Sequence, residues 1–285
     1  MQLTKNHDII IKRYRKPKFT VSFLGKKIKN KGEYMKDELI KRRIEDLCDK
    51  SFKNNQYTFT PFLNEAELSE FYETKESSMT AYYTIYGGRE DADRVMIRFG
   101  NADEFGYEED FPIKCIKIEP LMKKFAENLT HRDFLGAVMN LGIKRGETGD
   151  ILVDDKMAYM FCTEQMADYL CRELTKIKHT VVKCSIASEI PENFCLKTQE
   201  GEVQVSSERI DGVISKIFHI SRGNCVELFR TKKVFVNGKC TENNSYMLKE
   251  NDKVSARGFG KFRFLGIGNL TRKGNKIVKY EKYVG

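Results

Sequence analysis

RIDGVISKIFHISRGNCVELFRTKKVFVNGK, residues 209–239, sets two helical patterns, a strand and a turn in a row. Ile210, Val213, Ile214 and Ile217 fall at i, i+3, i+4 and i+7, the spacing of one buried helix face, with Ser206 and Ser207 before them as N-caps. Ser221 caps a second helix that turns Cys225, Leu228 and Phe229 inward. Val234-Phe235-Val236 reads as a strand. Asn237-Gly238 reads as a hairpin turn, because both positions of a type I′ turn need positive φ. Arg209, Lys216, Arg222, Lys232 and Lys233 are left over as a basic face. The opening at Ser221-Arg222-Gly223-Asn224 offers free backbone amides, the positive end of a helix dipole and the Arg222 charge, which together suit a phosphate.

The charge distribution supports that assignment. The chain has 285 residues and a net charge of +9, divided unevenly. Residues 1–34 carry +8, residues 35–205 carry −9, and residues 206–285 carry +10. A basic C-terminal block on an acidic body localises polyanion binding to that block. Eight cysteines without a C-x-x-C pair and four scattered histidines give no zinc spacing, and no cofactor is expected. The thiols read as reduced and cytoplasmic, and no apolar run reaches the roughly 18 residues that span a bilayer.

The rest of the chain divides by pattern into an α+β, multi-domain protein. Residues 1–34 are a basic leader or tail. Lys31-Gly32-Glu33-Tyr34-Met35 can be encoded by a ribosome-binding sequence placed before an ATG, so Met35 is expected to be the true start. Residues 35–110 form a mixed α/β unit. Its first helix turns Leu39, Ile40, Ile44, Leu47 and Cys48 to one face. A second helix over 64–74 has a capping box of Asn64 and Glu67, and two strands flank the charged loop Glu90-Asp91-Ala92-Asp93. Residues 111–190 run β-α-β-β-α-β, the ferredoxin-like order of RNA-recognition modules, with a last helix expected over 164–177. Tyr159 and Phe161 share a strand face on which bases could stack, but the Lys/Arg-Gly-aromatic pattern of a recognition strand is absent, and an aromatic in a strand is more often core than platform. His131, Arg132, Lys144 and Arg145 form a possible second RNA surface around the first helix of that module. Residues 191–205 read as a connector, and 206–285 as the last domain. The GFG and GIG pairs at 258–260 and 266–268 lack the strand-loop-helix context of a nucleotide site and read as turns and bulges.

SERIDGVISKIFHISRGNCVELFRTKKVFVNGK followed by ENDKVSARGFGKFRF resembles the S4 RNA-binding domain. Arg209, Asp211, Ser221, Arg222, Val234, Val236, Asn237, Gly238, Asp252, Arg257, Gly258 and Gly260 match its pattern, and Ile210, Lys232 and Asn251 depart from it. LTHRDFLGAVMNLGIKRGETGDI extends the match, over residues 35–285 in order, to the YlmH family of bacterial S4-domain proteins.

The resemblance implies a small two-helix module on a sheet that meets structured RNA, with rRNA and tRNA on the large (50S) ribosomal subunit as partners. It implies a role in rescuing stalled peptidyl-tRNA complexes. The expected phosphate contacts are Arg209, Arg222, Lys232 and Lys233 around Ser221, then Lys216, Lys239, Arg257 and Lys261. The chain is expected to act as a monomer, with no DNA or membrane partner. The motifs of a pseudouridine synthase, a methyltransferase and a tRNA synthetase are missing, so no enzyme activity is expected. The rival expectation is a general RNA chaperone or translational regulator, including a division-linked one.

Overall fold

The computed structural model describes residues 31–78, 81–154, 156–191, 194, 197–271 and 274–284. The basic segment 1–30 lies outside the described residues. Helix α1 (Lys31–Asn54) begins ahead of Met35. It is followed by β1 (Thr58–Phe59), α2 (Glu65–Ser78), β2 (Tyr83–Tyr86), β3 (Met96–Phe99) and the short α3 (Ala102–Phe105). The strands form an antiparallel sheet in the order β1-β3-β2. Ile44 and Cys48 of α1 bury against Phe71, Ile97 and Phe99, with Ile40 and Leu47 partly covered. Leu39, expected on that face, is exposed, because the buried stripe follows 40, 44 and 48 and Leu39 lies about 100° round the helix. The Asn64 cap forms as its sequence requires. Its Oδ1 accepts from the Ala66 and Glu67 amides, and Glu67 accepts from the Asn64 amide at 2.8 Å.

The middle of the chain carries β4 (Ile113–Pro120), α4 (His131–Asn140), β5 (Thr148–Asp154), β6 (Met157–Thr163), α5 (Glu164–Glu173), β7 (Lys176–Ile177) and β8 (Thr180–Ile186). All pairs in the sheet order β5-β6-β4-β8-β7 are antiparallel. Ile116, Ile118 and Met160 meet Phe134, Val138 and Leu170 of the two helices. The Thr130 amide donates to Asp133, which also holds Lys178 at 2.8 Å. That ammonium and the Thr130 donors bring the Asp133 carboxyl down to about 2. Helix α5 stops at Glu173 instead of running to 177. Ile177 is needed in the core and pairs with Thr180 across a turn at Lys178, whose φ is 51°.

The last sheet contains β9 (Lys197–Val205), β10 (Val234–Val236), β11 (Lys239–Cys240), β12 (Lys253–Ala256), β13 (Gly260–Leu270) and β14 (Lys276–Val284), ordered β11-β10-β12-β13-β14-β9. Helices α6 (Ile210–Ile217) and α7 (Arg222–Arg230) cover one face, where Val213, Ile214, Leu228 and Phe229 meet Val234, Val254, Phe262 and Val278. Two expectations change here. Residues 197–205, read as connector, are an edge strand paired along its length with β14. The α6 cap is Arg209, whose neighbour Ile210 donates to Tyr246 O, and neither Ser206 nor Ser207 caps the helix. The hairpin turn forms as read, with φ of 52° at Asn237 and 79° at Gly238. The glycine pairs supply a turn at Gly258 and a bulge between Phe264 and Gly266.

Candidate nucleic-acid interface

Two clusters of cations lie at the two ends of α7. At its start, the Ser221 hydroxyl accepts from the Asn224 amide at 3.2 Å, and Arg222, Gly223 and Asn224 are exposed. The Cys225 thiol donates to Asp211 O, which brings the start of α6 beside the start of α7. Arg209 stands there in a two-point pair with Asp211, at 3.2 and 2.7 Å. At the far end, Lys232 adopts φ of 57° and pairs with Glu242 at 3.1 Å. Lys233 O accepts from the Arg257 amide at 2.9 Å, and the Arg257 guanidinium lies 4.7 Å from the Phe235 ring centroid. With a rise of about 1.5 Å per residue, nine residues of α7 separate the clusters by about 14 Å. Among the described residues, Lys216, Arg222 and Lys233 have no carboxylate partner.

The opposite face of the same sheet is closed by the N-terminal unit. Sheet alternation points Phe262 at the helices and Lys261 away from them, and Lys261 donates to Asp93. Burial opposes the Lys261 charge, but Asp93 and Glu65 outweigh it and hold the ammonium above its usual value. Lys261 therefore lies off the α6–α7 face. Lys253 and Arg263 both donate to Asp91, as does the Tyr283 hydroxyl at 3.2 Å, and Ser255 donates to Glu65 at 2.9 Å. The Lys239 hairpin docks on α2, where the Cys240 amide donates to Ser69 at 2.9 Å. Part of the C-terminal positive charge is thus neutralised within the chain.

Burial pushes the Asp91 carboxyl up, but the Lys253 bond and charge, Arg263 and the Tyr283 hydroxyl prevail and hold it below its usual value. A lowered carboxylate contributes stability that is full above its unfolded pKa and is lost as pH falls through the folded one. Asp91→Asn is expected to be less stable than the native chain at neutral pH, with the difference shrinking below about pH 4. Urea unfolding across that range checks it, and a difference independent of pH would refute the pairing.

The middle-domain candidates divide. Arg132 and Lys144 are exposed. His131 is held below its usual imidazole value by desolvation and the Arg145 charge. Arg145 turns inward, donating to Thr148 O at 3.2 Å and Gly149 O at 3.3 Å. The buried Arg94 guanidinium bonds Phe62 O, Thr148 O and Arg145 O, fixing that turn to the N-terminal unit. Tyr159 and Phe161 are core, the commoner role of a strand aromatic, and not a stacking platform. Tyr159 is 5% exposed and packs edge-on against Phe194, while Phe161 is 3% exposed under Phe62 and Met96.

Sequence reasoning missed the centre of this arrangement. Asp150, 6% exposed, accepts Arg89 at 2.9 Å and the Asp93 and Arg94 amides at 2.9 and 3.0 Å. Its only signal was the density of charge at 89–94, which reads equally well as a solvated loop. Among the described residues no group of three metal-ligating side chains converges.

Residues 107–189 match the family described as "Putative RNA-binding domain in YlmH". The "Ribosome-associated protein quality control protein P2" of Bacillus subtilis (strain 168) is 29% identical over 176 residues, 61% of this chain and 68% of that protein. The solved structure of the "Cell division protein ylmH from Streptococcus pneumoniae" is similar with a TM-score of 0.42 at 23% identity, over 58% of this chain and 96% of that one.

Proposed function

We propose a function from one premise, that the chain belongs to the YlmH family. It is a non-catalytic RNA-binding protein that holds rRNA or tRNA on the 50S subunit and acts in quality control of stalled peptidyl-tRNA complexes. The observation that carries this is the α7 face. An exposed helix start capped by Ser221 presents Arg222 without a carboxylate partner, and Lys232, Lys233 and Arg257 gather at the other end. Such a face recognises phosphate, which positions a protein on folded RNA without reading its sequence. The module is S4-like in its helix pair and hairpin. The Bacillus subtilis relative's name supplies the ribosomal context.

The α7 face gives a direct test by sedimentation with purified 30S, 50S and 70S particles at several salt concentrations. The native chain is expected to pellet with 50S in a salt-sensitive way. Arg222→Ala/Lys232→Ala/Lys233→Ala is expected to lose that binding, with a logarithmic salt slope shallower by about 2 to 3. Equal binding to all particles would favour a general RNA chaperone or regulator, and native-like binding by the variant would refute the α7 assignment.

A further inference from the structure

The outward face of the middle sheet is covered on one side only. Phe161 lies under Phe62 and Met96, and Tyr159 under Phe194. Farther along β4 and β8 the same face carries Lys117 and Lys183, both paired with Glu119 at 2.8 and 3.1 Å, and Val181 and Lys183 of β8 are exposed there. Directly after β4 comes Leu121-Met122-Lys123-Lys124-Phe125, five consecutive exposed residues. Phe125 is 75% exposed, Met122 67% and Leu121 58%.

A cluster of large apolar side chains in water marks an interaction site. The loop is held in place at both ends. The Leu121 amide donates to Val181 O at 3.1 Å, the Glu127 amide donates to Thr180 at 3.1 Å, and Ala126 and Leu129 are buried. Lys156, from the β5–β6 turn, donates to Lys123 O at 3.2 Å, and the Lys124 ammonium lies 5.9 Å from the Phe125 ring centroid.

The composition chooses the partner. Lysine is depleted from the cores of protein interfaces, whereas here two lysines sit among three apolar residues. Adjacent cations beside an exposed aromatic ring suit single-stranded nucleic acid, phosphate on the cation and base on the ring. We propose that this loop and the exposed face of β8 beside it form a second RNA contact, with an unpaired base on Phe125 and its flanking phosphates on Lys123 and Lys124. This rests on the RNA-binding role of the chain, and it is independent of the α7 face.

The chain has no tryptophan, so Phe125→Trp in the full-length protein places a single reporter at the site. Titration with a short oligouridylate is expected to quench its emission saturably. Phe125→Leu, which keeps the apolar bulk and removes the ring, is expected to weaken oligouridylate binding by about tenfold to a hundredfold. Lys123→Ala/Lys124→Ala should make the salt slope shallower by about 1.4. Native affinity in Phe125→Leu, or Phe125→Trp emission that the oligomer leaves unchanged, overturns the proposal. If that happens while the α7 variant loses 50S, only the loop assignment fails. If the loop signal holds and the α7 variant pellets normally, only the α7 assignment fails.

Discussion

Asp150→Ala is expected to destabilise the chain by about 3 to 5 kcal/mol, the penalty for removing one partner from a buried ion pair. The carboxylate is 6% exposed and receives two bonds from Arg89 and one each from the Asp93 and Arg94 amides. Its removal leaves a half-buried guanidinium and two amides without their acceptor. Asp150→Asn keeps one carbonyl oxygen for the amides but points an NH₂ at Arg89, so it is expected to fall between the native chain and the alanine variant. In Arg89→Ala/Asp150→Ala the stranded cation is gone, so the loss is expected to be smaller than the sum of the single losses. Urea unfolding of the native chain, the two Asp150 variants, Arg89→Ala and the double variant measures all of this. Strict additivity, or a loss below about 1 kcal/mol in Asp150→Ala, would contradict the buried pair.

The effect should extend beyond the residue, because the loop over 87–94 serves two masters. Asp150 of the middle sheet holds it from one side, and on the other its own Asp91 and Asp93 hold Lys253, Arg263 and Lys261 of the C-terminal sheet. Releasing it from Asp150 loosens the loop that positions the two carboxylates. The middle domain and the α6–α7 module are therefore linked through charge, and high salt is expected to weaken the exposed part of that linkage more than the buried part.

Much of the fold was legible in the sequence because local chemistry decides it. Asn64 with Glu67, Ser221, and Asn237-Gly238 each carry their own partners within a few residues, and each forms as read. Illegible features depend on distant partners. Nothing in Lys197–Val205 says that its neighbour is β14, and nothing in Thr175-Lys176-Ile177 says that a core position ends α5 early. The same holds for the interface residues. Lys216 and Arg222 could be placed on the basic face from helix periodicity alone. Lys261 looked equivalent because strand alternation tells which residues share a face but not which face an acidic loop will cover. The exposure of Phe125 follows from where β4 and β8 end, and its apolar neighbours in sequence suggest core.

Phe161→Ala separates packing from RNA contact most sharply. The ring is 3% exposed and lies so close to Gly88 that a Cβ there would fall 2.2 Å from its Cδ1. Gly88 has φ of +93°, a conformation that favours glycine, so the loop that covers the ring is shaped by having no side chain at this point. Truncating the ring opens a cavity between the middle sheet and Phe62 and Met96, and is expected to destabilise the chain by about 3 to 5 kcal/mol. Gly88→Ala is expected to destabilise it by the opposite route, through overpacking and backbone strain. A stacking platform would give the reverse pattern, with little change in stability and a large loss of RNA affinity. Unfolding measurements paired with oligouridylate binding, corrected for the folded fraction, discriminate the two. Unchanged binding in folded Phe161→Ala, beside weakened binding in the stable Phe125→Leu, would place the base contact on the loop after β4 and not on the sheet face.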